Sequence, residues 1–98
     1  MKCGASGTVV LHYPGSSNGK KRARAIADEC KKCRKNNGGP DNRFEHISPS
    51  SVSVLAKTNC PAVLIETCFY DNVDDLYWTI INKEVLANSI VDGIIKTI

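Results

Sequence analysis

The apolar positions of this chain change period several times, and each change marks a different element. Gly7-Thr8-Val9-Val10-Leu11-His12-Tyr13 is dense in β-branched and aromatic residues and stops at Pro14-Gly15, which predicts a strand ending in a turn. Ser16, Ser17 and Asn18 can each cap a helix by accepting a bond from a free backbone N–H. Ala23, Ile26, Cys30 and Cys33 then recur at steps of three and four, the stripe of a helix running to about Lys35. Asn36-Asn37-Gly38-Gly39-Pro40 ends it, and residues 36–50 read as a polar, turn-rich loop with a short turn near Phe44. Residues 51–56 are predicted as a strand. Residues 61–66 are a second and more apolar strand, of the kind covered on both faces and expected inside a sheet. Pro61 is tolerated at its start, where no ladder bond is needed. Asn72 can cap a short helix with Asp74 and Asp75 in its first turn, where the helix dipole favours negative charge. Asn82 can cap the last helix, whose Ala87, Ile90, Val91, Ile94, Ile95 and Ile98 form one apolar face that must pack on something. The order β-α-β-β-α-α is that of an α/β layer, and its apolar surplus reads like part of a larger sheet.

Composition narrows this only a little. With 98 residues, 42% apolar and 23% charged, residues 1–98 make one ordinary globular domain at most. The longest apolar runs, such as residues 62–65, fall far short of the roughly 20 residues of a membrane span. The opening MKCGASGTVV has no apolar core of a secretory signal, so synthesis in the cytoplasm is expected. The five cysteines are odd in number and irregular in spacing, which favours reduced thiols over a disulfide framework.

Charge is unevenly placed. Residues 20–35 hold eight basic and two acidic side chains, while the rest of the chain is net negative. This basic segment either meets an anionic partner or is a solvated helix face. It contains no aromatic residue to stack on bases, which counts against sequence-reading nucleic-acid recognition.

Glu66 is the most informative ionisable residue. It closes the apolar run Ala62-Val63-Leu64-Ile65 and is followed by Thr67-Cys68-Phe69-Tyr70. Ligands of α/β sheets bind at the carboxyl ends of strands. A carboxylate half desolvated there would have a raised pKa and could act as a general base, whereas a plain strand-end glutamate would simply reach solvent. His12 and His46 have no second histidine at helix or strand spacing, so each reads as hydrogen-bonded rather than metal-binding. Cys30-Lys31-Lys32-Cys33 has a C-x-x-C spacing, but no second pair follows and both cysteines extend the apolar stripe, so core packing is expected.

The segment Pro61-Ala62-Val63-Leu64-Ile65-Glu66-Thr67-Cys68-Phe69-Tyr70-Asp71-Asn72 resembles the C-terminal signature of the zinc-dependent, type 3 N-acetylmuramoyl-L-alanine amidases. The likeness continues in order along residues 5–98. Gly7-Thr8-Val9-Val10 is similar to that family's Gly-Thr-Glu-Val strand, and Tyr13-Pro14-Gly15-Ser16 with residues 20–26 to the passage into its helix. Ser53-Val54-Leu55-Ala56-Lys57-Thr58 resembles the segment before the signature, and residues 87–95, with Gly93-Ile94, the final helix.

The resemblance implies the C-terminal half of a mixed or parallel sheet flanked by helices, in a peptidoglycan hydrolase of the cell wall, an autolysin or endolysin. The bond cut would be the amide between N-acetylmuramic acid and the L-alanine of the stem peptide. Glu66 would be catalytic, acting on a water bound to zinc, with Phe69 and Asn72 at the substrate. In the family two histidines and a glutamate hold the zinc. Two of these ligands precede the segment this chain resembles, and the third stands in a His-x-Asn-Ala motif where this chain has Lys2-Cys3-Gly4-Ala5. Lysine stays protonated at neutral pH and is a poor zinc ligand. No zinc is therefore expected on this chain, nor hydrolysis by it alone. Its expected partners are peptidoglycan together with a missing N-terminal half or a second copy. The alternative is a non-catalytic module whose basic helix, residues 20–35, contacts anionic wall polymer or nucleic acid.

Overall fold

The computed structural model describes residues 4–42 and 46–98. The elements in order are β1 (Val9–His12), α1 (Ser17–Asn36), β2 (Ile47–Pro49), α2 (Ser53–Ala56), β3 (Val63–Glu66), α3 (Val73–Ile81) and α4 (Lys83–Ile95). The α/β class stands: a three-stranded mixed sheet, ordered β2-β1-β3, is flanked by helices. β1 is central. It runs parallel to β2, with Val10 opposite Ile47, and antiparallel to β3, with Val9 opposite Glu66 and Leu11 opposite Leu64.

Alternation along the strands decides which face is core. Val10, Val63 and Ile65 point towards α1, where they meet Ala23, Ile26, Ala27, Cys30 and Cys33. All four members of the expected α1 stripe are thus in the core. Of the three candidate caps, Ser16 is the one used: its Oγ accepts from the Gly19 N–H at 2.9 Å. Val9, Leu11, Leu64 and Glu66 take the opposite face, where Leu64 is 37% exposed.

Four sequence expectations are corrected. Residues 47–49, read as loop, form β2; Pro49 is tolerated because this strand lies at the sheet edge. Residues 51–56, read as a strand, leave the sheet after Ser50, whose N–H donates to His12 O, and coil into α2. Their Val-Ser-Val alternation mimics a strand, but a single helical turn buries Leu55 and leaves Val52 and Val54 exposed. β3 is an edge strand among the described residues, not an inner one. Asn82 stands at the N-cap position of α4 but its side chain makes no capping bond there: it donates to Trp78 O and closes the end of α3 instead. The proposed turn at Phe44 lies outside the described residues.

The last helix also packs differently from its pattern. Leu86, Ile90 and Gly93 face the core, at steps of four and three. Most of the predicted stripe is open, with Val91, Ile95 and Ile98 at 51%, 60% and 90% exposure. Gly93 sets the approach of α4 to α1. A Cβ built there would lie 2.5 Å from Ile26 Cα, backbone that cannot swing aside. Gly93→Ala is therefore expected to cost about 1–3 kcal/mol, the usual penalty for overpacking, even though alanine is the better helix former. Urea unfolding of the variant checks this; unchanged or increased stability would show that α4 is free to shift.

Candidate active site

Glu66 is the last residue of β3, at the carboxyl end as expected. The antiparallel register sets it beside Val9, at the amino-terminal end of β1. It is exposed rather than half buried, because β3 is an edge strand and this face of the sheet is only partly covered. It does not line any of the four principal recesses of the described surface. The carboxylate thus stands exposed with Leu64 at the edge of the sheet, beside a covered Val9.

The backbone that carries it is held far more firmly than the sequence suggested. Arg34, part of the basic segment 20–35, is 2% exposed, and its partner Asp75 is fully buried. The guanidinium donates to Asp75 Oδ1 at 2.5 Å, to Thr8 Oγ1 at 3.2 Å, to Pro40 O at 3.3 Å and to Thr67 O at 2.9 Å. The Thr8 hydroxyl donates to the same Thr67 carbonyl at 2.9 Å. On the other carboxylate oxygen, Asp75 accepts from the N–H groups of Gly7 at 3.1 Å and Phe69 at 2.8 Å. Residues on both sides of the Glu66–Val9 pair are therefore tied to one buried ion pair. Gly7 suits this junction, since its φ of 120° is a conformation that side chains rarely adopt.

Trp78 completes the cluster. The Arg34 guanidinium lies 4.9 Å from its ring centroid, a cation–π contact, and its Nε1 donates to Asn37 O at 2.9 Å. Gly39 rests on the indole so closely that a Cβ would come within 2.7 Å of it.

Asn72, named as a substrate contact, is buried and engaged within the protein: its Oδ1 accepts from the Asp75 N–H and its Nδ2 donates to Ala5 O. Its capping of α3 is as expected. Phe69 is half-buried in the turn after Glu66, and its carbonyl accepts from the Asn72 N–H. Asn72 also borders a recess of about 550 Å³, with Ser6, Asp74, Tyr77, Trp78 and Asn82 among its walls.

The described residues do not fit a zinc centre. No three His, Cys, Asp or Glu side chains come together among them. His12 is buried on the core side of β1, with Nδ1 3.3 Å from Tyr13 O. His46 stands apart beside α1; burial, then the charges of Lys31 and Arg24, push its pKa below the ordinary value. Burial pushes the Cys30 thiol up to about 12, and Cys30 and Cys33 both pack in the core, as their place in the apolar stripe predicts. Lys2 and Cys3 lie outside the described residues.

The family model described as N-acetylmuramoyl-L-alanine amidase matches residues 2–98. The fold is similar to that of the N-acetylmuramoyl-L-alanine amidase AmiC2 of Nostoc punctiforme, with a TM-score of 0.73 at 23% identity over 95% of this chain and 48% of that one. This chain spans about half the length of that protein. No curated protein matches the sequence significantly.

Proposed function

Because the chain belongs to the N-acetylmuramoyl-L-alanine amidase family, we propose that it serves peptidoglycan hydrolysis, at the amide between N-acetylmuramic acid and the L-alanine of the stem peptide. The observation that carries this reading is the family match together with an accessible carboxylate, Glu66, at the end of a strand whose flanking backbone is locked. Glu66 takes a proton from the attacking water and delivers it to the departing alanine nitrogen. The 98 residues supply this proton-transferring carboxylate, and the remainder of an amidase domain acts with them, on the same polypeptide or on another. Action is at the cell wall. No described helix is long and apolar enough to cross a membrane.

Digestion of purified peptidoglycan by the protein isolated from its own cells, with any chain it acts with, tests this. New α-amino groups on alanine without new reducing sugar ends are expected. Reducing ends alone, or no release, would remove the amidase reading.

A further inference from the structure

The buried Arg34 leaves a question about the remaining cations of α1, and the packing of α4 answers part of it. A groove of about 560 Å³ runs between α1 and the end of α4, lined by Lys21, Arg24, Asp28, Glu29, Lys31, Lys32 and Lys96 among others. Glu29 is answered from both sides, by Lys96 at 2.7 Å and Lys32 at 3.1 Å, which together hold its carboxyl below the usual carboxylate range. Among the described residues Lys21, Arg24 and Lys31 make no ion pair, and only Asp28 stands against them in the groove. Their field is felt nearby: after burial, Lys31 and Arg24 are the largest causes depressing the His46 pKa.

We propose that this groove is a binding surface for a linear polyol-phosphate polymer of the cell wall, distinct from the face that carries Glu66. The proposal rests on the cell-wall reading for where such a polymer is met. Positions 21, 24, 28 and 31 share one side of α1, and the groove follows about 15 Å of helix axis, enough for several phosphodiesters in a row. The cations are flexible and mostly exposed, suited to tracking a mobile backbone rather than one fixed phosphate. Among the described residues no aromatic side chain lines the groove to stack on bases, and this favours a polymer without them over nucleic acid. Binding through released counterions predicts affinity that falls steeply with salt, by about 0.7 in log–log slope for each phosphate engaged.

The test is direct binding of the full chain to a defined poly(glycerol phosphate) at low salt, beside single-stranded and duplex oligonucleotides of equal phosphate number. The polyol phosphate is expected to bind more tightly than either. The double variant K21E/R24E should bind about tenfold more weakly, while K57E/K83E, the same charge change elsewhere, should stay within about twofold. Circular dichroism confirms that both variants are folded; should the first not be, R24Q alone carries the comparison. No binding at low salt, tighter binding to either oligonucleotide, or equal losses in the two variants would overturn the proposal. None of these outcomes depends on amide hydrolysis, so failure here is separable from failure of the amidase reading.

Discussion

Glu66→Gln is expected to lower the rate of amide hydrolysis by about 10²–10⁴-fold while leaving the fold intact. The substitution keeps the shape of the side chain and removes its ability to hold a proton in transit. Because the carboxylate is exposed and makes no ion pair among the described residues, neutralising it should change stability by no more than about 0.5 kcal/mol. The loss should fall on kcat rather than KM, since the group acts on the reacting atoms and not on the bulk of the sugar–peptide substrate. Measured on peptidoglycan with the protein from its own cells, a variant that retains most of its rate would remove Glu66 from the chemistry. A variant that loses rate and unfolds together would mean that the residue is structural, contrary to its exposure.

How legible this site was depends on whether a residue's role is written in local period or in tertiary contact. The α1 stripe Ala23, Ile26, Cys30 and Cys33 could be read directly, because helix spacing alone decides which side chains meet the sheet. The Asn72 cap was legible for the same reason, since it acts three residues along the chain. Glu66 could be placed at a strand end, where the sequence left a half-desolvated and a solvent-reaching carboxylate both open, and the structure has the second. The apolar run of residues 62–65 looks buried on both sides, whereas an edge position with one face only partly covered leaves Leu64 partly in solvent. β2 escaped notice because its three residues carry no alternation of their own and owe their pairing to β1.

Arg34 and Asp75 were the least visible. Local sequence marks one only as a cation of a basic run, facing solvent or an anionic partner, and the other as an acid favoured by a helix dipole. Their pairing spans 41 positions of sequence and leaves no period behind it. One signal was available: Arg34 falls one position after Cys33, on the buried flank of the α1 stripe rather than opposite to it. Lys31 and Lys35, on either side, are exposed.

Arg34→Met is accordingly expected to cost about 3–5 kcal/mol, the usual result of breaking a buried ion pair by removing one partner. The loss has three parts: Asp75 becomes an unpaired buried carboxylate, the Thr67 and Pro40 carbonyls each lose a donor, and Trp78 loses the cation over its ring. A domain's whole stability is roughly 5–15 kcal/mol, so the variant should lie near its unfolding threshold at ordinary temperature. Arg34→Lys should recover only part of the loss. A lysine keeps the charge but not the planar fork that reaches Thr8, Pro40, Asp75 and Thr67 at once. Adding Asp75→Leu to Arg34→Met should cost less than the two single losses combined, because no buried charge is then left alone. Exposed Lys35→Met serves as the control, expected within about 0.5 kcal/mol of the parent. Urea unfolding across this set decides the matter. If Arg34→Met and Lys35→Met unfolded alike, the ion pair would contribute nothing to stability, and the backbone after Glu66 and before Val9 would have to be held by the sheet alone.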